Sequence, residues 1–222
     1  MKPILIFVLL IVCGTVNAQN PSPDYNTFLK QTQISNSNDG RVDIAWWIPT
    51  EFWKIALRKQ PDVTEEQIDN VIQLLEPYVI FAIVDAKTGE FGDFIYTSFD
   101  SLENIVSDIG NNGETIEPLA YDELSVGVQS LLSMVKPILK SAMGQLGENM
   151  HFFVFEDIGK KNKRNFDPMK VGLISVKVVE KKYEWKTPVH ALLPLKKCPE
   201  DNVELNGAWG YCPFHGNKLI AQ

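Results

Sequence analysis

The residues best placed for chemistry lie in the last twenty-five positions, where a short stretch occurs twice. Cys198-Pro199-Glu200-Asp201-Asn202-Val203-Glu204-Leu205 aligns position by position with Cys212-Pro213-Phe214-His215-Gly216-Asn217-Lys218-Leu219. Both copies read Cys-Pro-x-polar-turn residue-x-x-Leu, with Asn202 and Gly216 as the turn residues. Apart from Cys13 near the N-terminus, Cys198 and Cys212 are the only cysteines in the chain. In an oxidising compartment two such thiols pair as a disulfide, and two turns that face each other would already bring the sulfurs close.

The repeated Cys-Pro turns resemble the knuckles of a zinc ribbon, and the resemblance covers only this tail. A zinc ribbon offers two Cys-Pro-x-Cys-Gly turns that together hold one tetrahedral ion, because two ligands three residues apart on a tight turn both point inward. The resemblance implies the set Cys198, Asp201, Cys212 and His215, a structural zinc and no other cofactor. The chain departs from the family in using a carboxylate and an imidazole where the ribbon has thiolates, so Asp201 can equally be a turn-former. Disulfide and zinc are both open here. Either would hold together a hairpin too short to bury much surface.

No other set assembles a catalytic machine. His151 and His190 belong to no spaced ligand motif, and the sequence has no Gly-x-Ser-x-Gly elbow, phosphate-binding loop or dinucleotide fingerprint. The enzyme reading that stays open uses acids: Asp85, Glu90, Asp93 and Asp100 surround one expected hairpin and could work as paired carboxylates in an exported hydrolase. Loop acidity explains the same residues. A third candidate is Trp47. Adjacent tryptophans on a strand point to opposite faces, so one enters the core while the other is left for a neighbouring element, a ligand or a partner; core packing is the favoured reading, with Trp47 as the candidate contact surface beside it.

These residues sit within an expected order of segments. Met1–Ala18 carries one cation, Lys2, then an apolar run from Ile4 to Cys13 and the small-residue end Val16-Asn17-Ala18, the pattern of a secretory signal peptide. The run is about half the length a membrane span needs. The expected product is a secreted or periplasmic protein with no transmembrane segment in its mature chain. The alternative is a lipid-anchored envelope protein acylated at Cys13, against which Val12 stands where a small residue is expected. Residues 19–40, rich in Asn, Ser, Gln and Pro, read as a flexible lead-in; 41–194 as the folded domain; 195–222 as the ribbon-like tail.

Within 41–194 the hydrophobic spacing predicts a strand from Arg41, a helix after Pro49, and a second helix opened by the capping box Thr64-Glu65-Glu66-Gln67. Val79–Val84 reads as a strand buried on both faces, returning through Phe91–Tyr96. Asp100 and Glu103 are expected to cap a short helix reaching Ile109 and ending at Gly110-Asn111-Asn112-Gly113. A long helix follows from Leu124 to Met143, interrupted or bent at Pro137, then a strand at His151–Phe155 and a hairpin of Leu173–Val179 with Lys182–Lys186. The basic stretch with Lys160, Lys161, Lys163 and Arg164 reads as a solvated turn. The fold class is α+β, a mainly antiparallel sheet packed on helices.

Net charge narrows the partners. At −7, or −8 once Lys2 leaves with the signal, the chain lacks the cationic surface that non-specific nucleic-acid binding requires. The function expected from the sequence is therefore a binding or assembly module that contacts another exported protein, with the hydrolase and lipid-anchored readings as alternatives.

Overall fold

The computed structural model describes residues 25–103, 109–110, 116–159, 163–178 and 181–221. The expected signal peptide, Cys13, and the cations Lys160 and Lys161 lie outside the described residues.

The fold is α+β, and every strand pairing within it is antiparallel. Its centre is β3 (Tyr78–Thr88), whose residues from Val79 to Ala86 are buried, as a continuous apolar run requires when both faces of a sheet are covered. β2 (Arg41–Ile48) pairs along one edge of β3, and β1 (Gln33–Asn38) lies outside β2. The other edge of β3 is shared end to end by β6 (His151–Glu156), opposite Tyr78–Ile83, and β4 (Phe94–Tyr96), opposite Ala86–Thr88.

Helices α1 (Tyr25–Thr32) and α2 (Thr50–Leu57) cover one face of this sheet. There Trp46 meets Phe52 edge-on at 4.9 Å between ring centroids, and its Nε1 donates to the Thr32 hydroxyl at 3.3 Å. The opposite face receives a second sheet, β5 (Ile109–Gly110), β7 (Gly172–Val178) and β8 (Lys181–Thr187). Ile174, Val176, Val178, Tyr183 and Trp185 are buried between the sheets, the inward set that period-two alternation predicts.

Local chemistry explains the helix boundaries. The Thr64 hydroxyl accepts from the Gln67 amide at 3.2 Å and the Gln67 side chain accepts from the Thr64 amide at 2.9 Å, so the capping box opens α3 (Glu65–Leu75) as its sequence predicts. The Ser125 hydroxyl accepts from Val128 N and starts α5 (Val126–Met143), which runs through Pro137 as one element. The short α6 (Gln145–Glu148) follows the left-handed Gly144.

Several expectations are corrected. The lead-in is not a loop from Tyr25 onward: α1 buries Phe28 completely, and polar β1 is an edge strand whose backbone is satisfied by β2. Its composition reads as loop because only tertiary pairing, not side-chain hydrophobicity, holds such a strand. Trp47 is fully buried, 6.4 Å from Trp185, so it offers no contact surface. The second sheet fills the face that adjacent tryptophans would otherwise leave open. The helix α4 (Phe99–Glu103) is capped through Ser98, whose hydroxyl accepts from Ser101 N. Ile109 and Gly110 pair with Val176 and Ser175 as a strand instead of ending that helix. Arg164 is no solvated cation, since it reaches Glu51 at 2.5 Å and the fully buried Asp157 at 2.6 Å.

Candidate metal centre

The tail folds around β9 (Lys196–Lys197), which pairs with β10 (Glu204–Leu205) on one side and β11 (Ile220–Ala221) on the other. Each half of the sequence repeat makes the same turn. Cys198 N donates to Val203 O and Asn202 N to Cys198 O; Cys212 N donates to Asn217 O and Gly216 N to Cys212 O, all between 2.8 and 3.0 Å. The turn residues Asn202 and Gly216 both take positive φ, 58° and 70°. That conformation explains their types: glycine adopts it freely, and asparagine tolerates it better than most residues. Cys198, Cys212, Leu205 and Leu219 pack into a small core separate from that of the domain.

This duplication brings three ligand-bearing side chains together. The Cys198 and Cys212 sulfurs lie 3.4 and 3.6 Å from the same ring nitrogen, Nδ1 of His215, and all three atoms are within 4.8 Å of one another. Cys198, Cys212 and His215 thus form a group that can hold a metal ion near the C-terminus. Both thiols are buried, while His215 stands at the surface. The sulfurs are not bonded to each other.

The backbone prepares each sulfur for negative charge. Burial pushes the Cys212 thiol up, but the amides of His215 and Phe214 and the Cys198 side chain draw it below its ordinary value. For Cys198 burial prevails over the amides of Glu200 and Asp201, and its side chain interacts with the Cys212 sulfur, so Cys198 holds the proton more tightly. The two cysteines therefore receive amides from the second and third residues beyond them, the same offset in each copy. Charge-assisted hydrogen bonds of this kind stabilise a thiolate without any cationic side chain.

Asp201 occupies in the first turn the place of His215 in the second. Its Oδ1 accepts from Val203 N at 3.1 Å, which makes it a turn-former, and its Oδ2 lies 3.8 Å from His215 Nδ1. The Val203 amide is the chief cause that holds the Asp201 carboxyl below the usual range.

The acids considered for hydrolysis differ in their surroundings. Asp85 is buried and gripped by Arg41, whereas Glu90, Asp93 and Asp100 are exposed. Asp85 instead stands beside Asp43, a pair the sequence reading missed although Asp43 interrupts an otherwise apolar strand. His151 lines a cavity along β6, and His190 lies in a short 3₁₀ turn, residues His190–Leu192. Among the described residues no helix is long and apolar enough to cross a membrane.

No protein-family model, curated protein or solved structure matches the chain.

Proposed function

We propose that the chain is an exported binding or assembly module whose C-terminal tail is a zinc-stapled double knuckle of the zinc-ribbon type. The observation that carries this reading is the convergence of two sulfurs on one imidazole nitrogen at 3.4 and 3.6 Å. With Zn–S near 2.3 Å and Zn–N near 2.05 Å, a tetrahedral ion separates sulfur from nitrogen by about 3.5 Å. Asp201, with Oδ2 3.8 Å from the same nitrogen, supplies the fourth ligand. The chemistry of the ion here is structural: it holds two turns that share only a four-residue core.

The staple presents apolar surface. Tyr211 and Phe214 are 65 % and 77 % exposed, and Trp209, Val203 and Ile220 also face solvent, all within one tail. Large exposed aromatics gathered on a small rigid element favour a protein contact. The partner expected is another exported protein.

Site-specific photo-crosslinking in the exporting cell tests the contact. A benzoyl-phenylalanine placed at Tyr211 or Phe214 is expected to give a discrete adduct that disappears in a Cys212→Ser background, while the same probe at the exposed Phe91 gives none. Absence of adducts from both tail positions, or equal adducts from Phe91, would contradict the assignment.

A further inference from the structure

A cavity of about 540 Å³ lies along the outer edge of β6, remote in sequence from the cysteine tail. It owes its place to the way two short strands share the edge of β3. β6 stops opposite Ile83 and β4 begins opposite Ala86, leaving a break that Thr97 spans by donating its amide to Asp85 O at 2.9 Å. The His151 ring, on the β6 side of that break, hydrogen-bonds to the backbone of Thr97. Phe99 closes over it, its ring 5.6 Å from His151 and stacked on Phe153 at 5.5 Å. Helix α5 forms the facing wall with Leu132, Ser133 and Lys136.

The lining divides by chemistry. Phe99, Leu119, Leu124, Leu132, Phe152 and Val154 make apolar walls, while among the described residues Lys136 and His151 supply the only ionisable groups besides the Tyr121 phenol. Among the described residues no carboxylate lines the cavity, although acids outnumber bases 28 to 21 in the chain. Lys136 Nζ donates to Met150 O at 2.6 Å, which anchors the ammonium at the wall; that bond engages one of its three donors. Glu148, whose charge acts on it, is itself in an ion pair with Lys140 at 2.5 Å. A volume of this size matches a small organic ligand, and such sites combine apolar walls with a few placed polar groups.

We propose that this cavity binds a small organic monocarboxylate with an aromatic or short aliphatic body, the carboxylate at Lys136 and His151 and the body between Phe99 and Phe152. The charge inversion selects the anion and the walls select its apolar part. Burial lowers the pKa of Lys136, and burial followed by the Lys136 charge lowers that of His151.

Calorimetric titration of the full mature protein with 4-phenylbutyrate, and with the uncharged 4-phenylbutanamide, tests this. Phenylbutyrate is expected to bind with one-to-one stoichiometry and the amide at least about tenfold more weakly, the value of a charge-assisted contact. Lys136→Met should weaken the acid about tenfold and leave the amide unchanged. Ser133 lies on the exposed side of α5, so Ser133→Trp should fold normally yet abolish binding of both. Failure of phenylbutyrate to bind, equal affinity for acid and amide, or an unchanged affinity in Lys136→Met would each overturn the proposal.

Discussion

Asp43 and Asp85 stand directly opposite each other on β2 and β3, on the same face of the sheet, with both carboxylates buried. Like charges so placed repel, and the surroundings supply the compensation. Arg41 grips Asp85 with two bonds of 2.7 and 2.8 Å, and the Thr97 hydroxyl adds a third at 2.6 Å. Asp43 takes Asn36 at 2.8 Å together with the Lys181 ammonium and Tyr183 hydroxyl of the second sheet. The pair therefore locks the two sheets together.

The pair sets an acid limit to stability. Burial pushes both carboxyls up, yet their hydrogen-bond and ion-pair partners leave each below its ordinary value. A carboxylate whose folded pKa is depressed stabilises fully above its unfolded pKa, near 3.9, and that contribution disappears as pH falls through the folded value. Urea midpoints measured from pH 7 down to pH 2 should fall steeply below about pH 4. Asp43→Asn should lower stability at pH 7 by about 2–4 kcal/mol and flatten that acid limb. An unchanged acid limb in both Asp43→Asn and Asp85→Asn would show that the pair does not govern it.

Arg164 carries a second buried network, and its loss should be more severe. It joins Glu51 and Asp157, and Asp157 also accepts from Phe166 N at 2.7 Å. Arg164→Met leaves Asp157 as an uncompensated buried charge, with an expected loss of about 3–5 kcal/mol in denaturant unfolding. Asp157 has the opposite pH sign to Asp43. Burial raises its carboxyl above the ordinary value despite Arg164, so its contribution is present below the unfolded pKa and is lost as pH rises through the folded one. Asp157→Asn should accordingly remove a fall of stability between about pH 4 and the raised folded value, read from urea midpoints across that range.

The strand and helix that replace the expected lead-in make a further test. Phe28 is completely buried against Phe52, 6.1 Å between ring centroids, and Thr32 beside it holds the Trp46 indole. Phe28→Ala should cost about 3–4 kcal/mol, and limited proteolysis should spare the chain from Tyr25 to Asn38 in the parent protein but cut there in the variant. Rapid cleavage of the parent within those residues would contradict the packing.

What the sequence made legible follows from how local each signal was. The capping box at Thr64, the apolar run of β3 and the alternation of β7 and β8 are read from neighbours in the chain, and each element forms there. The tail was legible for the same reason, because Asn202 and Gly216 mark two turns that need positive φ. Illegible features depended on distant partners. Polar β1 exists because β2 offers its edge, Trp47 is buried because β8 arrives from over a hundred residues away, and Arg164 is half-buried because Glu51 and Asp157 meet it. The cavity had no local mark either: Lys136 reads as one cation on a helix until β6 places His151 beside it.

Native mass spectrometry of the mature protein, purified without chelator and recorded with and without reductant, tests the metal-stapled tail most directly. The expected result is one zinc per chain under both conditions, lost in Cys198→Ser, Cys212→Ser and His215→Ala and weakened in Asp201→Ala. A metal-free chain two hydrogens lighter without reductant would make the tail a disulfide hairpin, and a metal-free chain at its full reduced mass would leave the two knuckles without any staple.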